Sequence, residues 1–178
     1  MPRFGLIGYP LSHSFSQPYF TKKFAELGLS DTHRYDNFPL ANIDEFPQLL
    51  ADHPDLVGIN VTIPYKEVII PYLDILSVDA VFIGAVNTIE RTPEGKLRGH
   101  NTDVIGFSDS LQTFLSANGG PAQRALILGT GGAAKAIASV LDQKEVVWQY
   151  VSRRASVRHL TYADLDESSL KYADLIVN

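Results

Sequence analysis

The sequence contains no cysteine, which excludes a disulfide framework, thiolate metal sites and cysteine nucleophiles. It has no apolar run of membrane-spanning length, and Met1-Pro2-Arg3-Phe4 enters a short strand pattern without the apolar core of a signal peptide. Positive charge is not in excess either: the formal net charge of -5 gives no general attraction to nucleic acid. These absences predict a cytoplasmic protein that binds neither membranes nor nucleic acid.

The residues that are present indicate a layered α/β protein. The chain has 178 residues, 45% of them hydrophobic and 20% charged, which suits one ample domain or two small ones. Strand and helix patterns alternate along it, and a helix from Val104 to Leu115 separates two such series. We therefore predict a domain at 1–103 and a second at 104–178. The predicted elements include a helix at Gln17–Leu27, a strand at Leu56–Ile63, short helices at Lys66–Ile70 and Leu73–Val78, and a β-hairpin within "AVNTIERTPEGKLRGHN".

The stretch "GINVTIPYKE" places two polar side chains together on one face of a strand. Asn60 and Thr62 share that face, hydrophobic residues occupy the other, and Lys66 follows closely after Pro64. One interpretation is an edge or antiparallel strand with one face in water. The other is a polar wall that holds a hydroxylated ligand, with the lysine at its end.

A second polar group lies in the loop "YPLSHSFSQP", just before the first predicted helix. Ser16 is a natural N-cap for that helix, because Pro18 falls in its first turn. Ser14 and Ser16 would also form a carboxylate site at a helix N-terminus. Asn87 in "GAVNT" and Asp103 in "HNTD" could converge on the same ligand, and the set suits a small polyhydroxylated acid.

The stretch "RALILGTGGAAKAIASVL" runs strand, glycine turn and helix, as in dinucleotide-binding folds. Gly129 permits the tight turn, Gly131 lets the backbone approach a pyrophosphate, and Ala134 allows close helix packing. The amides at the helix N-terminus would then face the negative charge. The predicted cofactor-binding residues of this turn are Gly129, Thr130, Gly131, Gly132, Ala133 and Ala134.

The end of the next strand, Glu145–Val151, indicates which dinucleotide binds. NAD-binding folds carry an acidic residue there for the ribose 2′-hydroxyl, whereas this sequence reads Ser152-Arg153-Arg154. Two guanidinium groups suit a 2′-phosphate, so we predict NADP. The alternative is a solvated basic loop. A third strand is expected to begin near Leu175.

Five separated segments together resemble the shikimate dehydrogenase family. They are "SHSFS", "NVTIPYKE", "GAVNT", "NTD" with Gly106 soon after, and "LGTGGAAKA", in this order and spacing. The resemblance implies an NADP-dependent oxidoreductase that reversibly reduces 3-dehydroshikimate to shikimate. It also implies an α/β substrate domain, a Rossmann domain and an active site in the cleft between them. It implies no metal site, and it leaves undecided whether the chain forms a homodimer.

Site roles follow from the resemblance position by position. Lys66 and Asp103 would be the catalytic pair, and Ser14 and Ser16 would bind the carboxylate. The ring hydroxyls would be bound by Asn60, Thr62, Asn87 and Asp103, with Lys66 beside them.

The sequence departs from the family pattern at three places. His100 stands where the family usually has an acidic residue, and Val157, with Arg158 beside it, replaces a basic residue after the second nucleotide-domain strand. The family also continues well beyond "DLIVN", so we expect a fragment without the nicotinamide half. The alternatives are a quinate/shikimate dehydrogenase of relaxed specificity and a non-catalytic shikimate-binding protein.

Overall fold

A computed structural model describes residues 1–154, 156 and 159–178. It divides the chain into two compact units, Met1–Asn101 and Thr102–Asn178. Within the described residues, no helix combines the length and the apolar character needed to cross a membrane.

The first unit is built on a six-stranded mixed sheet with three helices. The strands are β1 (Arg3–Gly8), β2 (Arg34–Pro39), β3 (Leu56–Val61), β4 (Ile75–Leu76), β5 (Thr88–Arg91) and β6 (Leu97–His100), in the spatial order β2-β1-β3-β5-β6-β4. Strand β1 is parallel to its neighbours β2 and β3, whereas β5 is antiparallel to β3 and β6. The helices are α1 (Ser16–Glu26), α2 (Phe46–Asp52) and α3 (Val78–Ile83), with 3-10 turns at Ile43–Glu45 and Ile70–Tyr72.

The two faces of this sheet bury different side chains, because successive residues of a strand point to opposite sides. On one face, Ile7 and Ile59 are buried with Phe46 of α2 in the larger hydrophobic core. On the other face, Leu6 and Tyr35 form a smaller cluster against which Phe20 and Phe24 of α1 pack. The predicted β-hairpin is confirmed as β5 and β6.

The helices predicted at Lys66–Ile70 and Leu73–Val78 are wrong. Residues after Lys66 form turns and a 3-10 segment, and α3 begins only at Val78. The cause is a tertiary contact, because the backbone of residues 74–77 forms hydrogen bonds with β6. Asp74 N donates to Leu97 O at 3.0 Å, and Ser77 N donates to Gly99 O at 2.9 Å. These bonds hold residues 74–77 extended, and the Ser77 side chain then caps α3.

The second unit is a parallel sheet with flanking helices. The strands are β7 (Arg124–Leu128), β8 (Val147–Ser152), β9 (His159–Thr161) and β10 (Leu175–Val177), and the helices are α4 (Asp103–Ala117), α5 (Gly132–Gln143) and α6 (Glu167–Tyr172), with a 3-10 turn at Tyr162–Asp164. The strand order β10-β7-β8-β9 corresponds to 4-1-2-3 of a dinucleotide-binding sheet. The strand at Leu175 is therefore the fourth and not the predicted third, because the three-residue β9 is too short for its pattern to be recognised in the sequence.

The only tryptophan of the chain, Trp148, lies on β8 of this second unit. Its indole Nε1 donates to Asp142 Oδ1 at 2.7 Å, and its ring lies edge-on to Tyr150. The indole is thus fixed between α5 and its own strand.

Candidate functional site

The strand that carries Asn60 is an inner strand, since β3 lies between β1 and β5. The edge part of that interpretation is therefore wrong, whereas β3 does pair antiparallel with β5. Ile59 and Val61 are 3% and 2% exposed on one side, and Asn60 points to the other. Thr62 follows directly after β3 and its amide donates to Ile7 O at 2.9 Å, which holds the residue against β1.

Ser14, Ser16 and Thr62 line one pocket of about 460 Å³, together with Leu6, Tyr9, Pro10, Leu11, Ser12, His13, Phe15 and Ile63. The predicted N-cap role of Ser16 is wrong, because α1 begins at Ser16 and Phe15 occupies the cap position. The Ser14 hydroxyl oxygen instead accepts from Ser16 N at 3.3 Å. Ser14 thus satisfies one amide of the first turn and lies beside the others.

A chain of hydrogen bonds joins two of the predicted asparagines. Tyr35 OH donates to Asn60 Oδ1 at 2.8 Å, and Asn60 Nδ2 donates to Thr88 Oγ1 at 3.4 Å. Thr88 Oγ1 then donates to Asn87 Oδ1 at 3.1 Å. We call these four residues the amide network. Sequence analysis missed Tyr35 and Thr88. Pairing the predicted strand of Asn60 with the first strand of the predicted hairpin could have indicated Thr88, because the two residues lie opposite each other. No such pairing could have indicated Tyr35.

Tyr35 also connects the amide network to the serine pocket. Burial raises the pKa of Tyr35 to about 12, and a hydrogen bond with the Ser16 side chain acts in the opposite direction. Ser16, Asn60 and Asn87 therefore belong to one continuous set of contacts.

Lys66 lies in the turn after β3, and its side chain is half-buried. Its carbonyl accepts from Val86 N at 2.7 Å, while Asn87 N donates to His100 O at 3.0 Å. The lysine backbone is therefore tied to the segment that carries Asn87. Asn87 itself is 9% exposed.

Asp103 is the first residue of α4 and belongs to the second unit. It lines a pocket of about 360 Å³ with Thr102, Gly106, Phe107, Ser110, Ala133, Ala136 and Ile137. The structure thus brings Asp103 together with Ala133, one of the residues predicted to bind the cofactor.

The glycine turn has the backbone that its sequence predicts. Gly129 has a φ of 122°, which L side chains rarely adopt, and its amide donates to Val151 O at 2.8 Å. Gly131 has an ordinary φ of −79° and caps α5. A Cβ added to Gly131 would meet no atom of the described residues within 4 Å, which leaves room for a bound group.

The predicted 2′-phosphate residues follow at the end of the neighbouring parallel strand. β8 ends at Ser152, whose hydroxyl oxygen accepts from Arg154 N at 3.3 Å. Arg153 and Arg154 are exposed. Val157 and Arg158, where the sequence departs from the family pattern, lie outside the described residues.

The comparisons with known proteins identify the family. Residues 6–89 match the family described as the shikimate dehydrogenase substrate binding domain. The chain is 33% identical to shikimate dehydrogenase (NADP(+)) of Staphylococcus aureus (strain Newman), over 99% of this chain and 67% of that protein. The chain belongs to the shikimate dehydrogenase family. It spans about two thirds of that relative's length.

Solved structures of the shikimate dehydrogenase family agree with this assignment. Shikimate dehydrogenase 1 of Peptoclostridium difficile superposes with a TM-score of 0.79 at 35% identity, over 99% of this chain and 65% of that chain. The enzyme of Thermus thermophilus, in complex with NADP(H) and shikimate, gives 0.73 at 35% identity, over 86% and 56%. The predicted family, α/β fold class and NADP-dependent oxidoreductase class are confirmed. The individual site residues stay predictions.

Proposed function

We propose that this chain binds shikimate and 3-dehydroshikimate through its first unit and NADP through its second. The reaction is the reversible, NADP-dependent reduction of 3-dehydroshikimate to shikimate. One observation carries the proposal: Ser14, Ser16 and Thr62 share a pocket, and Tyr35 joins Ser16 to the asparagines of the amide network.

The donor set suits the chemistry of shikimate, which carries one carboxylate and several hydroxyl groups on a small ring. The Ser14 and Ser16 hydroxyls, with the amides of the first turn of α1, bind the carboxylate. Asn60, Thr62, Asn87 and Asp103 bind the ring hydroxyls, because side-chain amides and hydroxyls both donate and accept hydrogen bonds and a carboxylate accepts them. Lys66 completes the substrate set.

The second unit has the features that a dinucleotide requires. The open backbone at Gly131 and the N-terminus of α5 receive the pyrophosphate. Arg153 and Arg154 bind the 2′-phosphate through charge-assisted hydrogen bonds. When bound, NADP accepts or supplies the hydride.

Lys66 and Asp103 are the catalytic pair in this proposal. Oxidation of a ring carbinol leaves an oxygen that must lose its proton, and the reverse reaction must supply one. Lys66 transfers this proton at the reacting oxygen, and Asp103 holds the hydroxyl in place.

Titration of the 178-residue chain with shikimate, followed by ¹⁵N NMR, tests the substrate half. We expect saturable shifts at Ser14, Ser16, Asn60 and Thr62. Quinate serves as the competing ligand, and equal affinity for it would indicate the relaxed specificity of a quinate/shikimate enzyme. Absence of any saturable shift with shikimate would refute the proposal.

Turnover is measured separately, as the change in nicotinamide absorbance with shikimate and NADP. A saturable absorbance change would contradict the non-catalytic alternative.

A further inference from the structure

We propose that Tyr35 and Thr88 are positioning residues that fix the orientation of the Asn60 and Asn87 side-chain amides and thereby set the specificity for the ligand hydroxyls. The inference rests on the proposed function and adds to it two residues that the shared motifs do not assign to the substrate. It concerns the amide network alone.

An asparagine side chain holds one orientation only when its amide oxygen and its amide nitrogen have different hydrogen-bond partners. Rotation of its amide by 180° exchanges donor and acceptor with almost no change in shape. In the amide network, Tyr35 OH contacts the oxygen of Asn60 at 2.8 Å, and Thr88 Oγ1 contacts its nitrogen at 3.4 Å. The two contacts distinguish the two ends of the Asn60 amide.

The direction of the hydrogen bonds is consistent along the whole network. Each hydroxyl has a single proton, so one that accepts from one neighbour can donate to the next. Tyr35 OH donates to Asn60, and Thr88 Oγ1 accepts from Asn60 and donates to Asn87 at 3.1 Å. The orientation of Asn87 is therefore coupled to that of Asn60, and through it to Tyr35.

The phenol ring of Tyr35 is itself held firmly. It is 5% exposed, and the ring of Phe20 from α1 stacks on it with centroids 4.6 Å apart and planes 13° from parallel. Its hydroxyl consequently has a defined position relative to both β3 and the start of α1. A rigid donor at this point specifies which amide group of Asn60 faces the ligand.

Loss of the Tyr35 or the Thr88 hydroxyl should leave the fold intact and weaken the binding of shikimate. Tyr35→Phe keeps the ring and its stacking, and Thr88→Val keeps the side-chain shape. We expect each variant to weaken shikimate binding roughly 3- to 10-fold, the effect of one neutral hydrogen bond. Thr88→Ser retains the hydroxyl and should bind nearly as the unmodified chain does.

The decisive experiment follows the side-chain amide resonances of Asn60 and Asn87 in the ¹⁵N-labelled chain, first without ligand and then during a shikimate titration. In Tyr35→Phe without ligand, we expect both pairs of resonances to shift and their exchange with water to accelerate. The matched control is Tyr72→Phe, which removes a hydroxyl that donates to Asp44 Oδ1 at 2.6 Å in the same unit. That variant should leave both pairs unchanged.

The outcomes separate this inference from the proposed function. Unchanged Asn60 and Asn87 amides in Tyr35→Phe, or wild-type shikimate affinity in both Tyr35→Phe and Thr88→Val, would overturn the positioning role. If the unmodified chain fails to bind shikimate, the proposed function fails and the specificity half of the inference fails with it. The ligand-free spectra then still decide whether Tyr35 and Thr88 orient the amides.

Discussion

Tyr35 makes the first unit sensitive to alkaline pH. Burial raises its pKa to about 12, above the ordinary tyrosine value of about 10. Because the folded-state value is the higher one, the stabilisation is complete below about pH 10 and is lost as the pH rises towards about 12. We expect the free energy of unfolding of Tyr35→Phe, from urea titrations across this window, to decline less steeply than that of the unmodified chain. Parallel pH curves would contradict this assignment.

Lys66→Ala tests the proton-transfer role. If Lys66 moves the proton, the substitution should depress turnover roughly 10²-fold or more, with a much smaller effect on shikimate affinity. Lys96→Ala removes the same charge from the exposed hairpin turn and should leave both quantities unchanged. A loss of affinity with turnover intact would show that Lys66 only binds.

The arginines after β8 give a prediction about cofactor choice. The double change Arg153→Ala and Arg154→Ala should weaken NADP binding by a few kcal/mol, the scale of charge-assisted hydrogen bonds to a phosphate. NAD lacks the 2′-phosphate, so its affinity should hardly change and serves as the internal control. Calorimetric titration of both dinucleotides measures the difference. Unchanged NADP affinity would show that the two arginines belong to a solvated basic loop and do not bind the 2′-phosphate.

Substitutions at two glycines of the turn between β7 and α5 should have different effects on the stability of the second unit and on NADP affinity. Gly129→Ala places a side chain at a φ of 122° and should destabilise the second unit by about 1–3 kcal/mol. Gly131→Ala has an ordinary φ and open space around the added carbon, so unfolding should be almost unaffected. The added methyl should nevertheless weaken NADP, because it occupies the approach of the pyrophosphate. Equal stability losses in the two variants would contradict this separation.

Elements with a strong local pattern could be predicted from the sequence. The hairpin of β5 and β6 has its own turn residues, and β7 followed by α5 has the glycine turn between them. The segment at residues 66–77 could not be predicted, because the hydrogen bonds that keep residues 74–77 extended come from β6, more than twenty residues later in the chain. Three-residue strands such as β9 carry too few side chains for any period to appear.

The residues of the candidate site also differ in how far they could be predicted from the sequence. Ser14, Ser16 and Asn60 belong to contiguous motifs, so their chemistry is readable residue by residue. Tyr35 contributes from β2, and the strand order β2-β1-β3 brings its hydroxyl to Asn60, twenty-five positions away. Period-two alternation places Tyr35 on a face of β2 but says nothing about what that face meets.

For the molecule as a whole, the two ligands should protect different parts of the chain from hydrogen exchange. We expect shikimate to slow exchange in the first unit, around residues 11–16 and 58–62, and at the start of α4 beside Asp103. NADP should slow exchange at residues 129–134. Mass spectrometry of peptides from the two ligand-bound states measures both. Protection of residues 129–134 by shikimate alone would contradict the division of roles.

The position of Trp148 gives the second unit an optical signal of its own. Since the chain has one tryptophan, on β8, emission excited at the red edge of its absorption comes from that unit alone. Unfolding releases the half-buried indole from Asp142 and exposes it fully to water, which should move the emission to longer wavelength. A substitution in the first unit that lowers shikimate affinity without moving the midpoint of this fluorescence transition has therefore left the nucleotide-binding sheet unperturbed.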